Sequence, residues 1–220
     1  MDEWSVQLVG DDSTLQRVGA VLPADARVRR QDGMHFVVHD AWRGMSEQEL
    51  AEAGRAFVEH INGLLRLRDT SHDGIRFGGV VVLKAGGGRD YLDSATVEVR
   101  MTVSGVEEHI GPDGRPVSPP PDPLKTWLLR SWADNELADG LRVYAKADDW
   151  PALYGAYEAV RAGLGGQKAV EAALGKSTRS RFTQTANYFR HTNERLPETP
   201  MTFEEGRRFL ADLFEVWLGR

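Results

Sequence analysis

The chain contains no cysteine among its 220 residues, and this absence excludes disulfide bonds, thiolate metal sites and cysteine nucleophiles. It also lacks any apolar run near the roughly 18 residues that a membrane-spanning helix needs. The first ten residues, MDEWSVQLVG, are acidic where a secretory signal peptide would be basic and then uniformly apolar. We therefore expect a folded cytoplasmic protein that does not associate with a membrane.

Motifs of several enzyme classes are absent as well. Gly86-Gly87-Gly88 lacks the Lys-Ser/Thr pair that follows the glycines of a P-loop, and no Gly-x-Ser-x-Gly elbow indicates a serine hydrolase. The closest histidine pair, His35 and His39, lies in a predicted strand. Four strand residues span about 13 Å, which is too far for two ligands of one metal ion. We therefore predict neither a metal nor a cofactor.

The net charge of −6 is unevenly distributed along the chain. Residues 1–145 carry 16 basic and 23 acidic side chains, whereas residues 146–220 carry 11 and 10. Within residues 168–195 there are six basic and two acidic side chains. A nucleic acid or another phosphate ligand is expected at such a basic stretch. The alternative is an ordinary solvated helix face, which commonly carries a similar number of charges.

The N-terminal half alternates strand and helix patterns. Strands are predicted at residues 4–9, 27–30, 34–39, 77–84 and 94–103, and Asp32-Gly33 is a hairpin signal between the second and third. A first helix follows a cap within residues 10–13, and a second follows the Ser46–Glu49 capping box. The order βαββαββ predicts an α+β, ferredoxin-like sandwich with two helices on one face of its sheet.

Proline separates this half from the rest. Residues 111–123, GPDGRPVSPPPDP, contain six prolines and two glycines and are predicted to be an extended linker. It would join a sandwich at residues 1–110 to a helical bundle at residues 124–220. We expect four or five helices in that bundle, one capped by Asp149 and the last opened by a Thr202–Glu205 capping box.

The most chemically varied stretch is RFTQTANYFRH at residues 181–191. Phe182 and Phe189 are two helical turns apart with Ala186 between them, so we predict an apolar stripe that packs against the protein. Amide and cationic side chains then occupy the other face of the helix. The candidate binding residues are Lys168, Lys176, Arg179, Arg181, Gln184 and Asn187.

Arg190 and His191 are the candidate catalytic residues. An arginine and a histidine together can bind phosphate and move a proton, as a metal-independent ribonuclease requires. In that case Asn187 would position the RNA. The alternative is that both cations stabilise a helix C-terminus, where the helix dipole favours positive charge.

The C-terminal part resembles a group of small, uncharacterised bacterial proteins that share W-x-x-LY-x-x-YE, RFT-x-TAN and a later RH pair. The matching positions are Trp150, Leu153, Tyr154, Tyr157, Glu158, Arg181, Phe182, Thr183, Thr185, Ala186, Asn187, Arg190 and His191. The helical C-terminus is also remotely similar to HEPN domains, which are usually dimeric and often metal-independent ribonucleases of toxin and phage-defence systems. Their arginine precedes the histidine by four to six intervening residues, and here those positions hold Gln184, Thr185 and Ala186.

Three functions follow from these patterns. The first is a cytosolic bacterial accessory or regulatory protein, in stress or phage defence, that binds RNA or a protein partner through residues 168–195 without catalysis. The second is a HEPN-like, metal-independent ribonuclease. The third is a structural homodimer whose last helix packs Phe214 and Trp217 against a second copy, and the HEPN resemblance likewise implies a homo-oligomer.

Overall fold

The computed structural model describes residues 3–70, 74–94, 123–191 and 195–220. These ranges contain a sheet of five strands, followed by a C-terminal helical region, so the predicted α+β class is confirmed. The strands are β1 Glu3–Val9, β2 Ala26–Gln31, β3 Met34–His39, β4 Arg76–Leu83 and β5 Arg89–Ser94. The helices are α1 Asp12–Val21, α2 Glu47–Arg68, α3 Leu124–Trp132, α4 Asn135–Ala145, α5 Trp150–Leu164, α6 Gln167–Leu174, α7 Lys176–Arg190 and α8 Phe203–Leu218.

The sheet has the order β2-β3-β1-β4-β5, and every neighbouring pair is antiparallel. The first four strands have the order and connections of a ferredoxin-like fold, and β5 extends that sheet beside β4. Val6 of β1 pairs with Val37 of β3 and with Val80 of β4, so these three apolar side chains share one face. The first six elements of the predicted order βαββαββ are confirmed, and the seventh described element, β5, is again a strand but lies before the predicted one at residues 94–103.

Both N-terminal helices pack on that face of the sheet. A β-carbon at Gly19 of α1 would lie 3.2 Å from Val28 of β2, and one at Gly54 of α2 would lie 2.6 Å from Val6. Val28 pairs with Val37, which places it on the same face as Val6. The absence of a side chain at each glycine therefore allows a helix to approach the sheet closely.

Local signals determine where these elements begin and turn. Asp32 and Gly33 both have positive φ, at 49° and 78°, as the predicted Asp-Gly hairpin requires. The Ser46–Glu49 capping box forms, since each backbone N–H donates to the other side chain, at 2.7 and 3.3 Å. The predicted strand at residues 94–103 lies outside the described residues apart from Ser94, where β5 ends.

The described chain divides into two compact units. The sheet unit is Met1–Val58 with Ile75–Leu128, and the helical unit is Glu59–Gly74 with Leu129–Arg220. The division falls within α2 and α3, whereas the predicted boundary at residue 110 and the predicted linker at residues 111–123 lie outside the described residues apart from Pro123. The last part of α2 contacts other residues of the helical unit, as in the 3.0 Å ion pair between Glu59 and Lys146.

Residues 124–220 contain six helices within their described part, where four or five were expected. The additional boundary separates α3 from α4. Asp134 is the N-cap of α4, and its carboxylate accepts a hydrogen bond from the Leu137 N–H at 3.1 Å. The predicted caps at Asp149 and at Thr202–Glu205 are confirmed.

Aromatic side chains from α5, α7 and α8 form the centre of the helical unit. Phe182 of α7 stacks on Phe209 of α8 with ring centroids 4.7 Å apart, and it packs beside Tyr157 of α5 at 5.2 Å. Trp150, the first residue of α5, contacts Phe182 at 5.9 Å and Phe203 of α8 at 5.7 Å. This aromatic cluster determines which face of α7 is buried.

A second close contact joins α5 to α8. A β-carbon at Gly163 would overlap the indole of Trp217, which is only 5% exposed and has little room to move. For Gly155, on the same helix, the Val143 side chain at 4.0 Å is the only described group within 4 Å of the position of its β-carbon. The two glycines therefore form a matched pair for a test of packing.

We predict that Gly163→Ala lowers the free energy of unfolding by about 1–3 kcal/mol, because the added methyl group overpacks the Trp217 contact. Gly155→Ala should instead raise it by about 0.5–1 kcal/mol, since alanine favours the helix. Urea unfolding followed by circular dichroism measures both values. Equal stability of the two variants would contradict the predicted packing of Trp217.

Candidate functional site

Two of the predicted binding residues make internal contacts. Arg181 donates from Nε to the Thr199 carbonyl and from a terminal nitrogen to the Pro200 carbonyl, both at 2.9 Å, and it pairs with Glu205 at 3.0 Å. Glu205 also accepts a hydrogen bond from the Thr202 backbone, which together with Arg181 holds its pKa below the usual value. Arg181 therefore anchors α7 to the segment that leads into α8.

Arg179 is the second of these residues. It donates to the Glu171 carboxylate at 2.8 Å, and its side chain is only 17% exposed. Glu171 accepts another hydrogen bond from Gln167, and the two donors lower the pKa of its carboxyl. The pair joins α6 to α7, so much of its charge is neutralised within the protein.

The two predicted lysines are exposed, and Lys176 lies at the opposite end of α7 from Arg190. Lys168 is in the first turn of α6, and Lys176 is the first residue of α7. Lys176 and Arg190 stand at opposite ends of a 15-residue helix, a separation of about 21 Å. Lys176 and Arg190 therefore do not lie close together on α7.

The other predicted site residues, Gln184, Asn187, Arg190 and His191, lie in or near the last turns of α7. We define the α7 terminal surface as Gln184, Asn187, Tyr188, Phe189, Arg190 and His191 together with residues 195–198. A cleft of about 500 Å³ on it is lined by Gln184, Asn187, Arg195, Leu196, Pro197 and Glu198. Gln184 donates to the Ser180 hydroxyl at 3.3 Å, whereas the Asn187 side-chain amide has no hydrogen-bond partner among the described residues.

Two aromatic rings are exposed in the last turn of α7, and neither of them lines the cleft. Phe189 is 51% exposed and Tyr188 is 38% exposed. The Phe189 ring lies nearly parallel to Trp150, at an interplanar angle of 3° and a centroid distance of 5.7 Å. The sequence placed Phe189 on the buried stripe with Phe182 and Ala186, which are fully buried. Phe189 does pack against the protein, since it covers Trp150, but it lies in the last turn of α7 and half of its own surface stays exposed.

Arg190 and His191 end the helix. The guanidinium carbon of Arg190 lies 3.9 Å from the centroid of the Tyr154 ring, a cation–π contact. His191 is the C-cap residue, and its backbone N–H donates to the Asn187 carbonyl at 2.9 Å. Both side chains are exposed. The helix thus ends where the sequence predicted, and the two cations lie where they stabilise the helix dipole and can reach a ligand.

A buried histidine–serine pair is a feature that the sequence analysis missed. His60 Nε2 and Ser131 Oγ are hydrogen-bonded at 2.7 Å, although 71 residues separate them in the chain. His60 is 7% exposed and Ser131 is fully buried. Burial lowers the pKa of His60 to about 4, with a smaller contribution from the charge of Arg142. A base of this pKa without solvent access is poorly suited to catalysis near neutral pH, so the pair is structural.

Six of the thirteen positions of the bacterial motifs are buried in the core of the helical unit. Thr185 is fully buried and its hydroxyl is satisfied, since it donates to the Arg181 carbonyl at 2.9 Å and accepts from the Met201 N–H at 3.0 Å. The buried motif residues are Trp150, Leu153, Tyr157, Phe182, Thr185 and Ala186. The motifs therefore specify mainly how α5, α7 and α8 pack.

Within the four described ranges, no group of three histidine, aspartate or glutamate side chains could hold a metal ion. In the same part of the chain, no helix is both long and apolar enough to cross a membrane. Comparisons with protein-family models, curated proteins and solved structures find no match to this chain. The resemblances to the bacterial group and to HEPN domains therefore stay predictions.

We predict that the His60–Ser131 pair makes stability depend on pH. Because the pKa of His60 is lower in the folded chain, the unfolded chain binds the proton first. This contribution is complete above about pH 6.5 and is lost as the pH falls toward about 4. At about pH 5 it should amount to a loss of about 2 kcal/mol relative to neutral pH.

Urea unfolding of the wild type and of His60→Gln at several pH values measures this contribution. The variant cannot titrate at this position, so its stability should fall less steeply between about pH 6.5 and 4. Identical pH dependence of the two proteins would show that His60 does not titrate as its burial requires.

Proposed function

We propose that this chain is a non-enzymatic binding protein that recognises nucleic acid through the α7 terminal surface. It would serve as an accessory or regulatory factor in the cytoplasm of a bacterium, in stress or phage defence. The observation that carries the proposal is that exposed aromatic rings, amides and cations lie together at this one helix end. This combination is typical of surfaces that bind single strands.

The contacts of the basic residues limit which of them can bind a ligand. Arg179 and Arg181 are held by Glu171 and Glu205, so their cationic groups are already occupied. Arg190 and Arg195 are exposed, and neither has a carboxylate within 4 Å among the described residues. Arg190 and Arg195 are therefore the arginines best suited to contact phosphate.

The alternative function is the HEPN-like ribonuclease. The exposure of both Arg190 and His191 at the same helix end favours it. The contact of Arg190 with the Tyr154 ring favours binding instead, since a catalytic arginine must turn toward the scissile phosphate. No described side chain donates to or accepts from the imidazole of His191 to orient it, as a general base usually requires.

The proposed homodimer through α8 has less support. Phe214 is fully buried and packs on Tyr144 at 5.4 Å, and Trp217 is 5% exposed against Gly163. These two side chains are covered within the helical unit, so they do not form a surface for a second copy. A homo-oligomer built through another face stays a prediction.

We predict that the purified protein binds a 5′-labelled single-stranded RNA in EDTA without cleaving it. Affinity should fall between about 50 and 200 mM salt because bound counterions are released from the RNA. The double variant Arg190→Ala/Arg195→Ala should reduce the slope of log affinity against log salt by about 1.4, the value for two phosphate contacts on a single strand.

Lys176→Ala is the matched control, since it removes an exposed cation at the other end of the same helix. Its affinity should remain near that of the wild type. Metal-free cleavage by the wild type that is lost in His191→Ala would establish the ribonuclease instead. If RNA is neither bound nor cut, nucleic-acid recognition is wrong and the surface serves a protein partner.

A further inference from the structure

We infer that the cleft between α7 and residues 195–198 binds an unpaired guanine base, and that Glu198 and Asn187 recognise the Watson–Crick edge of this base. This inference rests on the proposed function and specifies its ligand as a single strand that contains guanine. It follows from two features of the cleft, the way in which its walls are held and the hydrogen-bonding groups that they carry.

The walls of the cleft are held together by contacts within the helical unit. One wall belongs to the C-terminal half of α7, and the other is the chain at residues 195–198. Just beyond that chain, Arg181 of α7 donates to the Thr199 and Pro200 carbonyls, both at 2.9 Å. These bonds tether the second wall to the helix beside it. The volume of the cleft, about 500 Å³, lies within the range that small-molecule sites occupy.

The polar groups of the lining are available to a ligand. The Asn187 amide, the Arg195 guanidinium and the Glu198 carboxylate have no hydrogen-bond or ion-pair partner among the described residues. Leu196, which is 44% exposed, and Pro197 add apolar surface to the same lining. A cleft with apolar walls and a few polar groups suits a planar heterocycle, since the walls contact its faces and the polar groups contact its edge.

The carboxylate of Glu198 selects among the bases. An ionised carboxylate only accepts hydrogen bonds, and its two oxygens can accept two of them in parallel. Guanine is the common base whose Watson–Crick edge presents two neighbouring donors, the ring N1–H and the exocyclic amine. On the same edge, adenine and cytosine place a ring acceptor beside the amine, and uracil has one N–H between two carbonyl groups. Glu198 is therefore complementary to guanine and repels the ring acceptors of adenine and cytosine.

Asn187 and Arg195 supply the other contacts. The guanine O6 atom lies beside N1–H and accepts a hydrogen bond, which the carboxamide of Asn187 can donate. Arg195 carries only donors, so it remains available for the phosphates of the same strand, as in the proposed function. In a duplex the Watson–Crick edge of guanine is occupied by cytosine, so the cleft is selective for an unpaired base.

The experiment compares labelled RNAs of about ten nucleotides by fluorescence anisotropy in EDTA at one salt concentration. Each RNA is oligo(U) with a single central guanosine, adenosine or inosine, so the strands have the same length and charge. We expect the guanosine strand to bind about tenfold more tightly than the adenosine strand, since one bidentate contact discriminates by about that factor. Inosine keeps N1–H and O6 but lacks the exocyclic amine, so the affinity of its strand should be intermediate.

Two variants connect this preference to the cleft. Glu198→Gln should remove the preference for guanosine without weakening the adenosine strand, because a carboxamide can accept from the adenine amine and donate to its ring nitrogen. Asn187→Ala removes the donor to O6 and should weaken the guanosine strand alone by about fivefold. Glu136→Gln is the matched control, since it removes an exposed carboxylate from α4, which contributes no residue to the cleft. It should keep the preference of the wild type.

The outcomes distinguish this inference from the proposed function. Equal affinity of the wild type for the guanosine and adenosine strands would overturn the guanine site and leave nucleic-acid binding intact. A preference for guanosine that persists in Glu198→Gln would place base recognition outside the cleft and would also overturn the inference. If none of the RNAs is bound by wild type that is folded by circular dichroism, both proposals fail.

Discussion

The packing of aromatic rings between α5, α7 and α8 is the interaction on which the candidate site depends. Phe182 is fully buried against Phe209 and Tyr157, and this contact fixes the rotation of α7 about its own axis. Because successive helix residues are about 100° apart, fixing Phe182 also fixes the directions of Gln184 and Asn187. The same cluster places Trp150 beneath Phe189. The core thus determines both the stability of the helical unit and the composition of its exposed surface.

Electrostatic contacts determine which charges remain available. The basic character of residues 168–195 suggests one cationic patch, but charges near each other in sequence can form separate ion pairs in the fold. Glu171 and Glu205 engage Arg179 and Arg181, which anchor α7 to α6 and to the start of α8. Of the remaining cations, Lys168 lies in α6, Lys176 and Arg190 lie at opposite ends of α7, and Arg195 follows that helix.

The buried His60–Ser131 pair shows why proximity of suitable residues does not make a catalytic site. A serine and a histidine at 2.7 Å have the spacing of a nucleophile and its base. Both are buried, however, and desolvation lowers the pKa of His60 to about 4. The pair satisfies two polar groups in the interior, whereas the exposed His191 lacks such a partner among the described residues. The histidine that is oriented by a partner, His60, is therefore buried, and the histidine that is accessible to solvent, His191, has no such partner within the described part of the chain.

The sequence by itself determined the class and order of the elements, because local signals carry them. Asp32-Gly33 requires positive φ, and the Ser46–Glu49 and Thr202–Glu205 boxes satisfy N–H groups within four residues. Helical periodicity also identified Phe182 and Ala186 on the buried side of α7. These properties depend on neighbours in the chain, so they can be read without the fold.

Only the tertiary structure decided what reaches the surface. Helical periodicity cannot show that half of the Phe189 side chain stays exposed. It also cannot show that the Arg181 guanidinium donates hydrogen bonds to the Thr199 and Pro200 carbonyls. It also cannot pair His60 with Ser131, or assign the second part of α2 to the helical unit. Each of these features depends on residues far apart in sequence, and their contacts are determined by packing in three dimensions rather than by local conformation.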